Sequence, residues 1–198
     1  MNIKEYREQV RNYYRGDIDR NDTAHNLKHC DAVCDRMLDM NIFLDYDIDE
    51  ELIVLTAYLH DIKCHISRKK HHILSALYVM INKEIDPYLM KVKDIDELSV
   101  AILSHRASLG THLTNDLSRL LYIADKDVPD IVDIVNRSYD YSGNVYDVLK
   151  HVKEKFSKDG YLVYPVEYVA YYGDDKINEL YDNVDMLTLN DVVEIINL

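Results

Sequence analysis

The run Leu52-Ile53-Val54-Leu55-Thr56-Ala57-Tyr58-Leu59 ends in the pair His60-Asp61, so an imidazole and a carboxylate terminate a segment that has to be buried. Burying an ionised carboxylate among apolar side chains is costly unless something neutralises it. A divalent cation does this best, because imidazole nitrogen and carboxylate oxygen both suit Zn, Mn, Fe or Co. One adjacent pair leaves a coordination shell incomplete. Further donors of the same kind lie along the chain at His29, His71, His105 and Asp125.

The apolar spacing around these residues is helical. Leu27, Ala32, Val33, Met37 and Leu38 recur at threes and fours, and His29 lies four before Val33. Asp22 or Thr23 is read as the cap of that helix. Asp47, Asp49, Glu50 and Glu51 suit the N-terminus of the next helix, which leads to His60-Asp61. A helix from about Lys70 to Asn82, with Ile73, Leu74, Leu77, Tyr78 and Ile81 apolar, carries His71 in its first turn. Asp94 and Glu97 form a plausible capping box for a helix running toward His105. Asn115 or Thr114 caps another that ends at Asp125. Ile3 to Tyr14 reads as a surface helix ended by Gly16. Beyond Asp130 the pattern loosens. A helix begins at Asn144 and runs through Phe156, Tyr161–Pro165 reads as extended, and helices near Asp175–Tyr181 and Asn190–Ile196 close the chain.

Only 5 Gly and 3 Pro against 47% hydrophobic residues favour helices over a turn-rich sheet. With 198 residues and no Pro/Gly/Ser-rich linker, the expectation is an all-α, single-domain bundle over 1–198, with a core at about 22–130 and a helical extension at about 131–198. Repeats and low-complexity tracts are absent.

Four local strings carry a family resemblance: Asn26-Leu27-Lys28-His29-Cys30-Asp31-Ala32-Val33, Ala57-Tyr58-Leu59-His60-Asp61-Ile62, His71-His72-Ile73-Leu74-Ser75-Ala76 and Leu121-Tyr122-Ile123-Ala124-Asp125. The order His, His-Asp, His, His, Asp over about residues 22–130 resembles the HD superfamily of metal-dependent phosphohydrolases. The dipeptide alone is common, so the specificity lies in its company.

The resemblance implies an HD-type helical bundle and a minimal metal set of His29, His60, Asp61 and Asp125. His71 and His105 decide whether a second ion binds. His71 is favoured over His72 as the ligand because a small residue, Ser75, stands four beyond it, followed by Ala76. Asp61 is the expected bridge between ions or the residue that orients the attacking water, with His60 beside it in the catalytic pair. The cofactor expected is Mn, Fe, Co, Ni or Mg, one or two per site, which lowers the pKa of bound water toward ~7 and holds the phosphoryl oxygens.

Arg106 and Lys126 directly follow proposed ligands and are the preferred substrate cations. Arg68, in Arg68-Lys69-Lys70, is a further one or else part of a solvated loop. A narrower similarity, carried by Ala101–His105 and Leu120–Lys126, is to bacterial HD-type hydrolases of symmetrical dinucleoside tetraphosphates. The resemblance therefore implies hydrolysis of a nucleotide or another small phosphate ester or anhydride. A catalytically silent nucleotide- or partner-binding domain, and a nuclease on short single strands, are the alternatives.

Thirty-six acidic against 23 basic residues give a formal charge of -13, which argues against a protein that coats long nucleic acid but leaves small phosphorylated substrates open. No apolar run approaches the ~20 residues needed to cross a bilayer. Cys30, Cys34 and Cys64 are odd in number and follow a polar start, which suits a reducing cytoplasm. Cys30 and Cys34 lie one turn apart and read first as buried free thiols, second as a metal pair. His25, His65, His112 and His151 read as surface histidines, with His25 near enough to His29 to reach substrate. Tyr161, Tyr164, Tyr168, Tyr171 and Tyr172 suit stacking on a base, but packing is the commoner use. Association of copies is left open.

Overall fold

The computed structural model describes residues 2–106, 113–127 and 130–197. Among these it is all-α, with eleven α-helices and no strand. The chain divides into two compact units, Met1–Asp125 and Lys126–Leu198.

In the first unit, α1 (Ile3–Ile18) buries Tyr6, Val10, Tyr14 and Ile18, a strict four-residue stripe. Gly16 does not end this helix, contrary to the sequence expectation. An exposed mid-helix glycine costs only about 1 kcal/mol relative to alanine, and the fully buried Ile18, one turn beyond Tyr14, anchors the last turn. Asp22 caps only a short 3-10 turn, Thr23–His25, and the cap of α2 (Leu27–Phe43) is Asn26. The two caps in series explain why the sequence reading places the start four residues early. Asn26 Oδ1 accepts the amide of His29 at 3.1 Å, so the cap that starts α2 also fixes the first turn carrying a candidate ligand. Asn26→Ala is expected to cost about 1 kcal/mol in urea unfolding and to weaken cation binding at His29 in the same protein.

The apolar run forms α3 (Glu50–Leu59), capped by Asp49 and ending on His60. Next come α4 (His71–Asn82), α5 (Ile95–Ser104) and α6 (Asp116–Ala124). Asp94 Oδ1 accepts the amide of Glu97 at 2.9 Å, the Asp94 half of the expected capping box. Helix α2 packs on α3 and α6, α3 on α1 and α5, and α5 on α4 and α6. That arrangement brings the C-terminal ends of α3, α5 and α6 and the N-terminal ends of α2 and α4 to one place.

Helix α4 turns a different face inward from the one its apolar residues suggest. It buries His71, His72, Ser75, Ala76 and Val79, and leaves Ile73, Leu77 and Ile81 exposed. The first turn is held by its histidine, and Ser75 Oγ accepts the amide of Lys63 at 3.2 Å, so polar contacts set the rotation of the helix.

The second unit contains α7 (Ile131–Ser142), α8 (Val145–Phe156), α9 (Val166–Tyr172), α10 (Asp174–Met186) and α11 (Leu189–Ile196). Its core joins Ile134, Val135, Val148, Val152, Leu180, Val184, Leu187 and Val192. Helices α7 and α9 are absent from the sequence reading. The segment 161–165, read as extended, is neither helix nor strand. Among the described residues no helix is long and apolar enough to cross a membrane.

Candidate metal centre

Six side chains from five segments converge in the first unit. His29 comes from the first turn of α2, His60 and Asp61 from the end of α3, His71 from the start of α4, His105 from the end of α5 and Asp125 from the end of α6. They fall into two groups able to hold an ion: His29, His60 and Asp125, and Asp61, His71 and His105. In the first, His29 Nε2 lies 3.2 Å from His60 Nε2 and 3.3 Å from Asp125 Oδ1, and His60 Nε2 is 3.7 Å from that oxygen. In the second, His71 Nε2 lies 3.0 Å from His105 Nε2, and Asp61 Oδ1 is 3.2 Å from the former and 3.5 Å from the latter.

Asp61 connects the groups. Its Oδ2 lies 3.1 Å from His60 Nε2 and 3.6 Å from His29 Nε2, while Oδ1 faces His71 and His105. Each oxygen thus serves a different set of imidazoles. Asp61 Oδ1 is buried and has no hydrogen-bond partner among the described residues, which is costly for a carboxylate oxygen unless a cation stands opposite it.

The orientation of the imidazoles fits the same purpose. His60 Nδ1 donates to the Ala57 carbonyl at 2.8 Å, His71 Nδ1 to that of Arg68 at 2.6 Å, and His105 Nδ1 to that of Ile102 at 2.6 Å. With the proton committed to Nδ1, the neutral ring turns a lone pair at Nε2 toward the centre, the usual support for a metal-ligating histidine. Neutral imidazoles facing each other through Nε2 at 3.0 Å repel without a positive charge between them. A cation with ligands at about 2.0–2.1 Å sets them about 3.0–3.4 Å apart, close to the separations here. The donor set therefore fits one or two divalent ions.

The buried carboxylates draw positive charge into the centre. Burial works against a charged His60, yet Asp61 and Asp125 outweigh it and raise its pKa to about 10. Burial also works against ionised Asp61, but His60 and His105 hold its carboxyl well below the usual range. Burial lowers His71 to about 4, against the pull of Asp61. Cation affinity is thus built around the buried negative charge of Asp61, with Asp125 beside His29 and His60. His60 and Asp61 are sealed from solvent, at 0% and 2% side-chain exposure, whereas His29 and Asp125 retain 19% and 21%. The cluster is therefore closed on the His60–Asp61 side and partly exposed on the His29–Asp125 side.

Sequence reasoning misses the residues that hold the ligands in place. Arg36 Nε on α2 donates to the carbonyl of Ala124 at 2.6 Å, pinning the end of α6 just before Asp125. Arg11 on α1 grips Asp31 with Nε and Nη2 at 2.9 and 3.0 Å, and the Tyr58 hydroxyl donates to the same carboxylate at 2.6 Å. Asp31 stands two residues from His29 and Tyr58 two from His60, so this network sets α2 against α3. Asn21 Nδ2 donates to the carbonyls of Asp61 at 2.9 Å and His25 at 3.1 Å.

His72, the alternative to His71, is buried beside His105 and Arg106 but belongs to neither group. Of the expected substrate cations, Arg68 Nη1 lies 3.3 Å from Asp22 Oδ2, and Arg106 Nη1 donates to the carbonyl of Lys69. Lys126 is the first residue of the second unit. Cys30, Cys34 and Cys64 are free and buried. His112 lies outside the described residues.

Together the fold and this cluster define an all-helical protein with a candidate dinuclear metal centre. Compared with protein-family models, curated proteins and solved structures, the chain matches none of them.

Proposed function

We propose that this protein is an HD-type metal-dependent phosphohydrolase acting on a nucleotide or another small phosphate ester or anhydride. The observation that carries the reading is Asp61, whose two oxygens each face a separate set of imidazole nitrogens. Paired ions sharing a carboxylate are a recurrent means of displacing groups at phosphorus: when bound, they supply an activated water and neutralise the attacking and leaving oxygens.

The chain's own residues do the rest. His60 and Asp61, closed off from solvent, hold the buried side of the centre rigid. His29 and Asp125 form its accessible rim, where substrate arrives. Arg68 and Arg106 supply positive charge for phosphate. A chain of net charge -13 repels long polyanions, so a small substrate with few phosphates suits it better than a nucleic acid. Three buried free thiols support a reducing, cytoplasmic setting.

The test is direct. Protein loaded separately with Mn, Fe, Co, Ni and Mg is incubated with mono-, di- and dinucleoside phosphates and the products are separated by chromatography. At least one metal is expected to give turnover that His60→Ala abolishes. Equal turnover in wild type and His60→Ala, or none with any metal alongside tight nucleotide binding, would defeat the proposal.

A further inference from the structure

A third set of metal-binding side chains lies beside the six-residue cluster. Asp22 precedes the 3-10 turn Thr23–His25, His25 ends it, and Cys64 lies in the turn after His60-Asp61. One ligand atom from each stands within 4.8 Å of the other two. Asp22 Oδ1 is 2.6 Å from His25 Nδ1, and the ring centroid of His25 lies 6.1 Å from that of His29 and 5.9 Å from that of His71.

The two chain segments are tied together. Asn21 Nδ2 donates to the carbonyls of His25 and Asp61, while its Oδ1 accepts the amide of His65 at 2.8 Å. Asn21 thereby spans from the residue carrying the imidazole to the neighbour of the residue carrying the thiol. The group is held together by a side chain whose whole amide is engaged.

Its donor set differs in kind from that of the main cluster, where every ligand is imidazole or carboxylate. Cys64 is buried, and burial with the nearby Asp61 and Asp22 carboxylates pushes its thiol up to about 12. Such a thiol is neutral and unreactive, so a redox or nucleophilic role does not suit it. A thiophilic divalent ion changes that balance, because a coordinated thiol is deprotonated outright. Thiolate and Asp22 carboxylate then carry two negative charges opposite two positive ones, with imidazole as a neutral third ligand. Zinc accepts this combination of S, N and O donors, and soft sulfur disfavours Mg and Mn.

We propose that Asp22, His25 and Cys64 form an accessory site for a thiophilic divalent cation such as zinc, adjoining the His–Asp cluster. Binding forms a sulfur–metal bond and passes the thiol proton to solvent, with no change of oxidation state. The site requires no turnover, so it stands or falls apart from the hydrolase reading.

Cobalt(II) titration of the full chain tests it, because thiolate-to-cobalt charge transfer gives a near-ultraviolet band that imidazole and carboxylate ligands do not. The expected result is a band that saturates with one cobalt per chain, is displaced by zinc, and is lost in Cys64→Ser together with one bound ion. Cys30→Ser should keep the band. His25→Ala, at a partly exposed position where folding is less at risk, should raise the cobalt concentration for half-saturation about tenfold, and serves as the deciding variant if Cys64→Ser fails to fold by circular dichroism. Absence of the band when the His–Asp cluster is filled, its loss in Cys30→Ser, its persistence in folded Cys64→Ser, or an unchanged half-saturation point in His25→Ala would overturn the proposal. Cobalt in the main cluster is followed by its visible bands and phosphate release by product assay, so failure of either reading shows separately.

Discussion

Asp61→Asn protein is expected to bind one fewer metal ion per chain than wild type and to lose turnover by on the order of 10⁴-fold, the scale seen when one member of a group acting as a unit is removed. The reason lies in the two faces of the carboxylate. Asparagine keeps the shape but offers one oxygen and one NH₂. Whichever way the amide turns, either the His29–His60 side or the His71–His105 side meets N–H donors where it had an acceptor. Asp61→Ala removes the acceptor from both sides and should empty the centre further. The double variant His60→Ala/Asp61→Asn should be no less active than the worse of the two single variants, because the first loss already disables the unit. His72→Ala, outside both groups, should keep the full metal content. Metal analysis of dialysed protein and initial rates decide the matter. Full metal content in Asp61→Asn would mean that the carboxylate does not join two sites, and rate losses that multiply in the double variant would mean that the residues act separately.

Much of this arrangement is written locally in the chain. The run 52–59 has to be buried, so His60-Asp61 has to arrive at the end of a core helix. Caps at Asp49, Asp94 and Asn115 mark the starts of three helices that each deliver a ligand at the C-terminal end. The rotation of α4 is different, because periodicity finds the apolar stripe Ile73, Leu77 and Ile81, and that stripe faces solvent. Burial of His71 and the bond from the Lys63 amide to Ser75 outweigh it, and both depend on partners distant in sequence. Arg36, Arg11 and Asn21 escape notice for the same reason: each acts on a backbone carbonyl or a carboxylate brought near only by folding. Helix α7 is a different kind of omission. Asp130 accepts the amide of Val132 at 2.7 Å, and Gly143, at φ 63°, ends the helix in the left-handed conformation glycine tolerates best. Both signals are local, but the helix buries only Ile134 and Val135, so its periodicity is too sparse to read.

Stripping the cation should destabilise the first unit markedly. In the metal-free protein, Nε2 lone pairs of His71 and His105 meet at 3.0 Å and those of His29 and His60 at 3.2 Å, around a carboxylate with one unpartnered oxygen. A proton relieves one such contact, and Asp61 and Asp125 favour a charged His60, but one proton cannot serve both groups. A divalent ion in each group does, and it binds only where folding has assembled the segments that supply its ligands. Its binding free energy therefore adds to the stability of the folded state. At free metal a thousandfold above Kd this amounts to about 4 kcal/mol, which for a unit of this size corresponds to a rise in Tm on the order of 10 °C. Chelator-treated wild type should melt lower by that amount and recover when Mn, Co or Zn is restored, with the shift growing with the logarithm of metal concentration. The shift should shrink sharply in His29→Ala and Asp61→Asn protein, and remain in His151→Ala, which alters a histidine outside the centre. A Tm indifferent to chelator and to added metal would show that the six side chains are held by something other than a cation, and the chemistry proposed for them would have no foundation.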